Sequence, residues 1–332
     1  MTQICILGAG SWGATLGVAL RQAGNQVTFW TQDAGKAALI NRDRRIEKPI
    51  AVEFPDGTIA TDDIVEATRG AEFILFCCPS QAVRAVAYRL EGANLDAREK
   101  KPVLVSAVKG LELTTLRRIS EVLSEILPDL TVAALSGPNL ASEILAGLPA
   151  AAVIGCPSLD TAASVQKALA TPNLRLYSNA DITGVELGGT LKNVIAIAAG
   201  VSDGLRLGAN AKAALLTRGL AEITRMAVKL GAKPQTMAGL AGMGDLLATC
   251  AGPTSRNYKL GMELAKGRKA EQILQEMGVA VEGVPTAQAV CELSKKLGLE
   301  LPIAEQVEAT LKGKSSPEQA IMTLMKRPLA SE

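Results

Sequence analysis

Lys192 is the side chain in this sequence best suited to move a proton, because the 332 residues include no histidine. It lies in the apolar stretch 186–198, where burial of an unpaired ammonium group would be costly. On a helix, Gly188 and Ala196 lie one turn to either side of it and leave a flat surface around the ammonium. Partial desolvation would move its pKa toward neutrality, which suits general acid/base catalysis. The alternative is a lysine whose ammonium extends from a helix edge into solvent.

A carboxylate and a candidate anion-binding group follow further along the chain. Asp245 lies in a glycine-rich turn, and Thr249 follows one helical turn later. Ser255, Arg256 and Asn257 stand at a predicted helix start, where a guanidinium, an amide and free backbone N–H groups suit a phosphate. Taken alone, the same segment is also compatible with a helix cap and a solvated arginine.

A glycine-rich loop at residues 8–13, Gly-Ala-Gly-Ser-Trp-Gly, directly follows an apolar run at the N-terminus. Such a turn between a first strand and a first helix holds a dinucleotide pyrophosphate. Gly8 permits the turn, Gly10 lets the backbone approach the pyrophosphate, and Gly13 allows the helix to pack closely on the strand. Ser11 and Trp12 would present N–H groups to the phosphates, although the Trp12 side chain is equally compatible with core packing. The loop predicts a bound nicotinamide dinucleotide.

The end of the second predicted strand indicates which dinucleotide is preferred. NAD-specific sites usually place an acidic residue there, about 20 residues past the glycines, on the ribose 2′-hydroxyl. This strand ends without an acid at Gln32, and Asp33 comes slightly late and could cap the next helix instead. A 2′-phosphate could be bound by the basic residues that follow, namely Lys36, Arg42, Arg44 and Arg45. The sequence therefore favours NADP(H), or the use of both NADP(H) and NAD(H).

The composition excludes several other classes of protein. The net charge is +2, from 35 basic and 33 acidic residues, which gives no electrostatic footprint for nucleic acid. The apolar runs are far shorter than the roughly 20 residues of a membrane span, and the N-terminus leaves no room for a signal peptide. The six cysteines form no CxxC pair and read as reduced thiols. We therefore expect a cytoplasmic protein without a metal ion.

The element pattern predicts two domains, 1–180 and 181–332. In the first, short strands alternate with helices, as in a parallel α/β sheet with helical crossovers. Strands are predicted at 3–7, 26–30, 72–76, 103–106, 131–135, 151–154 and 174–177, and helices at 12–22, 81–90, 116–127, 140–145 and 159–169. The charged segment 42–57 reads as an irregular surface excursion. From Asp181, a plausible N-cap, the pattern is helical only, for example at 182–201, 210–230, 258–266, 286–297 and 303–311.

Distinctive short sequences directly follow four of the predicted strands. They are the glycine loop 8–13, Cys-Pro-Ser at 78–80, Lys-Gly at 109–110 and Gly-Pro-Asn at 137–139. In doubly wound sheets the carboxyl ends of the strands carry the ligand. We therefore expect these four loops to lie together at one edge of the sheet and form a site.

The chain closely resembles the bacterial form of the NAD(P)-dependent glycerol-3-phosphate dehydrogenase family. The resemblance covers nearly the whole length and rests on motifs at 8–13, 108–112, 136–139, 186–196, 202–204, 208–211, 242–246, 255–257 and 281–283. It implies an N-terminal Rossmann domain and an all-helical substrate domain like that of 6-phosphogluconate dehydrogenase. The implied reaction is the reversible reduction of dihydroxyacetone phosphate to sn-glycerol 3-phosphate, which supplies phospholipid synthesis.

The resemblance also implies roles for individual residues. Lys192 would be the proton donor and acceptor, Lys109 would contact both cofactor and substrate, and Asp245 would hold the Lys192 ammonium in line. The expected substrate-binding residues are Lys109, Gly137, Asn139, Lys192, Asp245, Thr249, Ser255, Arg256 and Asn257. The expected cofactor-binding residues are Gly8, Gly10, Ser11, Trp12, Gly13, Gln32, Lys109, Ala141, Arg256, Ala280 and Glu282.

Departures from the family pattern and rival interpretations remain. Gln32 stands where many relatives have a basic residue, which weakens the NADP(H) preference, and Asn139 replaces a more usual Ser or Thr. The segment 42–57 fits the pattern poorly, so no site residue is assigned there. A ketopantoate reductase is the nearest alternative enzyme, and a catalytically silent NADP(H) sensor is the alternative from another class. A homodimer is common for this kind of fold.

Overall fold

A computed structural model describes residues 1–328 and shows a sheet-containing N-terminal domain followed by a helical C-terminal domain. All ten strands described lie in the first domain. They are β1 Gln3–Leu7, β2 Gln26–Trp30, β3 Arg45–Ile46, β4 Val52–Glu53, β5 Ile59–Thr61, β6 Phe73–Phe76, β7 Val103–Ser106, β8 Val132–Ser136, β9 Ala150–Gly155 and β10 Leu174–Asn179. The helices between them are α1 Ser11–Gln22, α2 Ala34–Asp43, α3 Ile64–Thr68, α4 Val83–Leu90, α5 Ile119–Ile126, α6 Ala141–Leu145 and α7 Leu159–Leu169.

Eight of these strands form one sheet in the order β10-β9-β8-β7-β6-β1-β2-β5. Neighbours from β5 to β8 are parallel, which confirms the predicted α/β pattern for this part of the sheet. The prediction of a parallel sheet is wrong at the β9–β10 edge. There β9 is antiparallel to β8, and β10 is parallel to β9. The five-residue α6 between β8 and β9 spans only about 7 Å, too short to carry the chain back along the sheet for a parallel strand.

The segment 42–57 is more ordered than the sequence predicts. β3 and β4 pair as a short antiparallel hairpin within it. The side chains of Ile46, Val52 and Phe54 are buried, and the Phe54 ring meets Phe29 of β2 edge-on at 5.4 Å. The segment is largely exposed, as predicted, but it is not irregular. Its two-residue strands were not predicted because they are too short to give a periodic signal.

Other short elements also differ from the prediction. The predicted elements do not include α2, α3 and β5, although Asp33 is a possible cap of a helix after the second strand. In the structure α3 and β5 contact β2, whereas α2 contacts β3 and β5. The helix predicted from residue 116 begins only at Ile119, because Leu116 has a left-handed backbone with φ of 62°. Strands β1, β2 and β7 have the predicted bounds.

The second domain contains nine described helices, and the longest of them contacts most of the others directly. They are α8 Ile182–Gly204, α9 Gly208–Lys229, α10 Pro234–Met237, α11 Asp245–Cys250, α12 Arg256–Leu264, α13 Ala270–Met277, α14 Gly283–Leu297, α15 Pro302–Leu311 and α16 Pro317–Met325. Asp181 caps α8 as predicted, because its side chain accepts a hydrogen bond from the Gly184 amide at 2.8 Å. Among residues 1–328, no helix combines the length and the apolar character that crossing a bilayer requires.

Glycines allow α8 to approach both domains closely. A Cβ at Gly188 would lie 2.5 Å from the Ala241 carbonyl oxygen, and one at Gly189 would overlap the Ser136 hydroxyl at the end of β8. At the start of the helix, Ile182 Cα would lie 3.0 Å from a Cβ on Gly155, at the end of β9. α8 therefore runs along the sheet and places its middle beside the carboxyl end of β8.

Candidate active site

The carboxylate of Asp245 lies between two lysine ammonium groups. Lys192 Nζ donates a hydrogen bond to Oδ1, and Lys109 Nζ donates to Oδ2 at 2.7 Å. Asp245 and Lys192 are only 2% and 4% exposed, whereas the Lys109 side chain is 18% exposed. The structure thus brings together the three residues expected to be catalytic, in an arrangement that the sequence did not specify.

Three different elements position these side chains. Lys192 projects from the middle of α8, and Lys109 lies in the loop that follows β7. Asp245 begins α11, directly after a π-helical turn at Leu240–Gly244. A Cβ at Gly242 in this turn would overlap the Met237 carbonyl oxygen, so the turn requires a glycine at this position.

The two ammonium groups differ in their hydrogen bonds. An ammonium has three protons to donate. Lys109 Nζ uses all three, on Asp245, on Asn139 Oδ1 at 2.7 Å and on the Gly137 carbonyl at 3.0 Å. Lys192 Nζ donates to Asp245 and to the Thr249 hydroxyl, and the described part of the chain offers it no third acceptor. Lys192 therefore keeps one proton for a ligand.

The surroundings of Lys192 change its acidity. Burial lowers the pKa of Lys192 to about 7, from an ordinary value of 10.5. Asp245 opposes this shift, whereas the positive charge of Lys109 adds to it. An amine with a pKa near neutrality can both give and take a proton at physiological pH. The alternative of a lysine extending into solvent is contradicted by its burial.

The loop after β8 closes one side of the lysine pair. Gly137 has φ of 150° and lies so close to β9 that a Cβ would be 2.7 Å from Ala152 Cα. Asn139 is buried, and its Nδ2 has no hydrogen-bond partner in the described structure. Ala141 begins α6 directly after this loop. The loop thus holds Lys109 through a carbonyl and an amide oxygen.

The segment 255–257 begins α12 at the other side of the site. Ser255 caps the helix by accepting a hydrogen bond from the Tyr258 amide at 3.3 Å, so the capping interpretation holds for this residue. Arg256 is exposed and donates to the Ala280 carbonyl at 2.8 Å. Its guanidinium has further donors for a phosphate.

Asn257 and Asn193 form a link that the sequence analysis missed. The Asn257 side chain is buried, donates to Asn193 Oδ1 at 2.9 Å and accepts from the Gly283 amide at 2.9 Å. Asn193 in turn donates to the Lys109 carbonyl at 3.2 Å. The position of Asn193 directly after Lys192 was the sequence feature that could have identified it as a site residue. The two amides join α12, α8 and α14 to the Lys109 loop.

The glycine loop 8–13 fits a dinucleotide pyrophosphate. A Cβ at Gly13 would overlap the Gly8 carbonyl oxygen, whereas a Cβ at Gly10 would meet nothing within 4 Å. The N-terminus of α1 has no side-chain cap and no acidic residue in its first turn, which leaves its N–H groups for an anion. Ser11 and Trp12 lie in that turn, and the Trp12 side chain packs against the hydrophobic core, as the core-packing interpretation predicts.

The region after β2 corrects the expectation about the 2′-phosphate. Asp33 caps α2 by accepting from the Lys36 amide at 3.0 Å, and Gln32 before it is exposed. Arg42, Arg44 and Arg45 lie at the far end of this ten-residue helix, about 15 Å away. These arginines pair with Asp43, Asp56 and Glu47. The helix therefore carries these three arginines away from the end of β2, whereas Lys36 lies in its first turn.

Glu282 and Ala280 bring the helical domain to the cofactor side of the site. Glu282 accepts hydrogen bonds from the Ser80 amide at 3.0 Å and the Ser80 hydroxyl at 2.5 Å. The Ala280 carbonyl accepts from Arg256. The sequence places Ser80 in a loop after a predicted strand, but it does not indicate that Glu282 is the hydrogen-bond partner of Ser80. No group of three or more cysteine, aspartate and glutamate side chains suited to a metal ion occurs within residues 1–328.

A dinucleotide loop, a lysine–carboxylate–lysine cluster and a helical second domain define a nicotinamide-dependent oxidoreductase. Two family models match the chain, the N-terminus of NAD-dependent glycerol-3-phosphate dehydrogenase over residues 3–162 and its C-terminus over residues 181–322. The chain belongs to this family, which confirms the resemblance seen in the sequence.

Individual relatives agree with the family models. The chain is 44% identical over 335 residues to the glycerol-3-phosphate dehydrogenase (NAD(P)+) of Citrifermentans bemidjiense, covering 99% of this chain and 98% of the relative. It is also similar to the crystal structure of glycerol-3-phosphate dehydrogenase from Coxiella burnetii, with a TM-score of 0.90, 35% identity and coverage of 98% and 99%. A ketopantoate reductase from Ralstonia eutropha shares only the fold, with a TM-score of 0.59 and 17% identity over 96% of this chain and 100% of that one.

Proposed function

We propose that this protein reduces dihydroxyacetone phosphate to sn-glycerol 3-phosphate with NADPH, NADH or both, and catalyses the reverse reaction. The observation that carries the proposal is the buried Asp245 carboxylate shared by Lys192 and Lys109. It places a neutral-range proton donor and a second positive charge where a ketone oxygen would become negative. The family of the chain supports this substrate.

The glycine loop and the residues facing it would hold the dinucleotide. The open space at Gly10 and the uncapped N-terminus of α1 suit its pyrophosphate. We assign further contacts to Gly8, Ser11, Trp12, Gly13, Gln32, Lys109, Ala141, Arg256, Ala280 and Glu282. When bound, the reduced nicotinamide supplies the hydride. The exposed Gln32 carries no charge that would select one cofactor.

Lys192 donates the proton in the direction of reduction. Asp245 and Thr249 take two of its ammonium protons and leave the third for the substrate oxygen. Lys109 must exchange one of its three acceptors to reach the substrate, so it stabilises developing charge while Lys192 transfers the proton. Asp245 balances the two positive charges and fixes their separation.

The remaining residues bind the substrate away from the reacting carbon. Arg256 would bind the phosphate, supported by Ser255 and Asn257 at the start of α12. Gly137 and Asn139 would line the opposite wall, next to Lys109. Binding energy from the phosphate would then orient the carbonyl toward Lys192.

Four wider statements belong to the same proposal. The domains divide at residue 180, which is supported by the end of β10 at Asn179 and the start of α8 at Ile182. The protein acts in the cytoplasm, and its product feeds phospholipid synthesis. It requires no metal ion.

The test is oxidation of NADPH and of NADH by the purified protein with dihydroxyacetone phosphate. We expect rapid loss of the dihydronicotinamide absorbance, and a fall in kcat of about 100-fold or more for Lys192→Ala. Lys296→Ala, in the exposed last turn of α14, is the matched control and should behave as wild type. Binding of cofactor without turnover would favour the sensor, and near-normal turnover of Lys192→Ala would refute its role.

A further inference from the structure

Ser80 and Glu282 join the two domains beside the proposed cofactor site. Ser80 follows β6 and is 2% exposed, whereas Glu282 directly precedes α14 in the helical domain. The serine amide donates to Oε1 at 3.0 Å and its hydroxyl donates to Oε2 at 2.5 Å. Both carboxylate oxygens are therefore held by one residue of the other domain.

This pair packs directly on the turn that carries Lys109. A Cβ at Gly110 would lie 2.6 Å from Ser80 Oγ and 2.8 Å from Glu282 Oε2, so only a glycine fits next to Lys109. Gln81 extends the contact, because its Nε2 donates to Ser80 Oγ at 3.0 Å and to the Leu111 carbonyl at 2.8 Å. Loops from both domains thus meet at Ser80.

We propose that Ser80 is a positioning residue for dinucleotide binding, because it fixes the Glu282 carboxylate and the Lys109 turn in the orientation that the cofactor needs. This inference rests on the proposed function, in which Glu282 and Lys109 contact the cofactor. A glutamate free to rotate would lose side-chain entropy when the cofactor binds. Because Ser80 holds the Glu282 carboxylate by two hydrogen bonds, the side chain is already ordered in the folded protein, and cofactor binding does not bear this entropy cost.

A second serine provides a matched control. The Ser120 amide donates to Glu186 Oε1 at 2.8 Å, and the Ser120 hydroxyl donates to Oε2. This pair also joins the sheet domain, at α5, to the helical domain, at α8. Ser120 is buried as well, but none of its contacts involves the Lys109 turn. The two serines therefore make the same kind of link between the domains, but only Ser80 contacts the Lys109 turn.

The experiment compares Ser80→Ala with Ser120→Ala by titrating each with NADPH and with NADH and following protein fluorescence. Thermal unfolding measures the stability of both variants. We expect the dissociation constant of the better cofactor, and its KM, to rise about five- to tenfold in Ser80→Ala. This is less than the full loss of a hydrogen bond to a charged group, because the Ser80 amide still holds one oxygen of the Glu282 carboxylate. Ser120→Ala should lower stability similarly and leave this constant within about twofold of wild type.

A double variant separates positioning from general stability. In a Glu282→Ala background, Ser80→Ala should change cofactor affinity little further, because the carboxylate it positions is gone. Additive effects, or equal cofactor affinities for Ser80→Ala and Ser120→Ala, would overturn the inference. Affinity is measured without substrate, so failure of the wild type to reduce dihydroxyacetone phosphate would refute the proposed function alone.

Discussion

At the scale of single residues, the buried ammonium of Lys192 predicts the pH dependence of the reaction. Its pKa is lowered to about 7 by burial. Reduction needs the protonated amine, so kcat should fall as pH rises above about 7, approaching tenfold per pH unit. Oxidation of glycerol 3-phosphate needs the neutral amine and should increase over the same range. Rates measured in both directions from about pH 6 to 9 test this. Two profiles that change in the same direction would contradict it.

Arg256 should affect binding more than turnover. Removal of a charged donor to phosphate in Arg256→Ala should raise the KM for dihydroxyacetone phosphate about 10- to 100-fold, with a smaller change in kcat. Arg327→Ala, which breaks an exposed ion pair with Glu300, is the control. Initial rates over a range of substrate concentrations give both constants. A lower kcat at unchanged KM would contradict the phosphate assignment.

Most residues of the site could be named from the sequence, but apart from the link between Asp245 and Lys192, which the family resemblance implied, their connections could not. Lys192, Asp245 and Lys109 stood in separate motifs, and only the fold shows one carboxylate shared by two lysines. The Asn193–Asn257 link was not predicted, although both residues lie in motifs that the sequence shows, because nothing in either motif indicates the partner. Hydrogen-bond partners that lie 64 residues apart in the chain leave no local pattern to read.

At the scale of elements, the turn from β1 to α1 predicts an effect on the cofactor without an effect on folding. Gly10 has φ of −79°, which alanine adopts without strain, and its Cβ would meet no protein atom within 4 Å. Gly10→Ala should therefore leave the melting temperature unchanged and raise the KM for the dinucleotide about tenfold or more, because the methyl group fills the space for the pyrophosphate. A wild-type KM would place the cofactor elsewhere.

The close contact of α8 with the π-helical turn predicts the opposite behaviour at Gly188. A Cβ there would press on the Ala241 carbonyl at 2.5 Å and displace the turn that leads to Asp245. Gly188→Ala should cost about 1–3 kcal/mol of stability and lower kcat as well. Gly92→Ala, where a Cβ meets nothing within 4 Å, should change neither. Thermal unfolding and kinetics of the two variants measure the difference.

Elements with a strong apolar pattern could be predicted from the sequence, whereas weakly patterned or very short elements could not. β1 and β2 are predicted with their observed bounds because each is a five-residue run that is mostly buried after an exposed first glutamine. α2 has ten residues but a weak apolar face with only Ala37 and Ile40 buried, and β5 has three residues. The pairing of β5 with β2 and the packing of α2 on β5 stabilise these elements, and neither contact can be recognised in the local sequence.

At the scale of the whole molecule, Glu186 predicts how strongly the domains depend on each other. Its carboxylate accepts hydrogen bonds from the Arg118 guanidinium at 2.7 Å, from the Ser120 amide at 2.8 Å and from the Ser120 hydroxyl. Glu186→Ala should lower the free energy of unfolding by about 1–3 kcal/mol, because the buried Ser120 loses its acceptor and Arg118 keeps only its ion pair with the exposed Glu121 as a charged partner. Denaturant unfolding measures this. Glu318→Ala, at the exposed start of α16, should change stability by less than about 0.5 kcal/mol.

The reversed direction of β9 and β10 determines the position of Lys192 along the strand direction of the sheet. Because β10 runs against the parallel strands, α8 starts at the edge of the sheet opposite the site and returns along its face. Lys192 comes eleven residues after Asp181, a rise of about 16 Å, and a five-residue strand such as β8 has nearly the same length. The first half of α8 is thus about as long as the strands of the sheet are, and this length places Lys192 level with their carboxyl ends. Deletion of one residue from it would lower the ammonium by about 1.5 Å and rotate it by about 100°, away from Asp245.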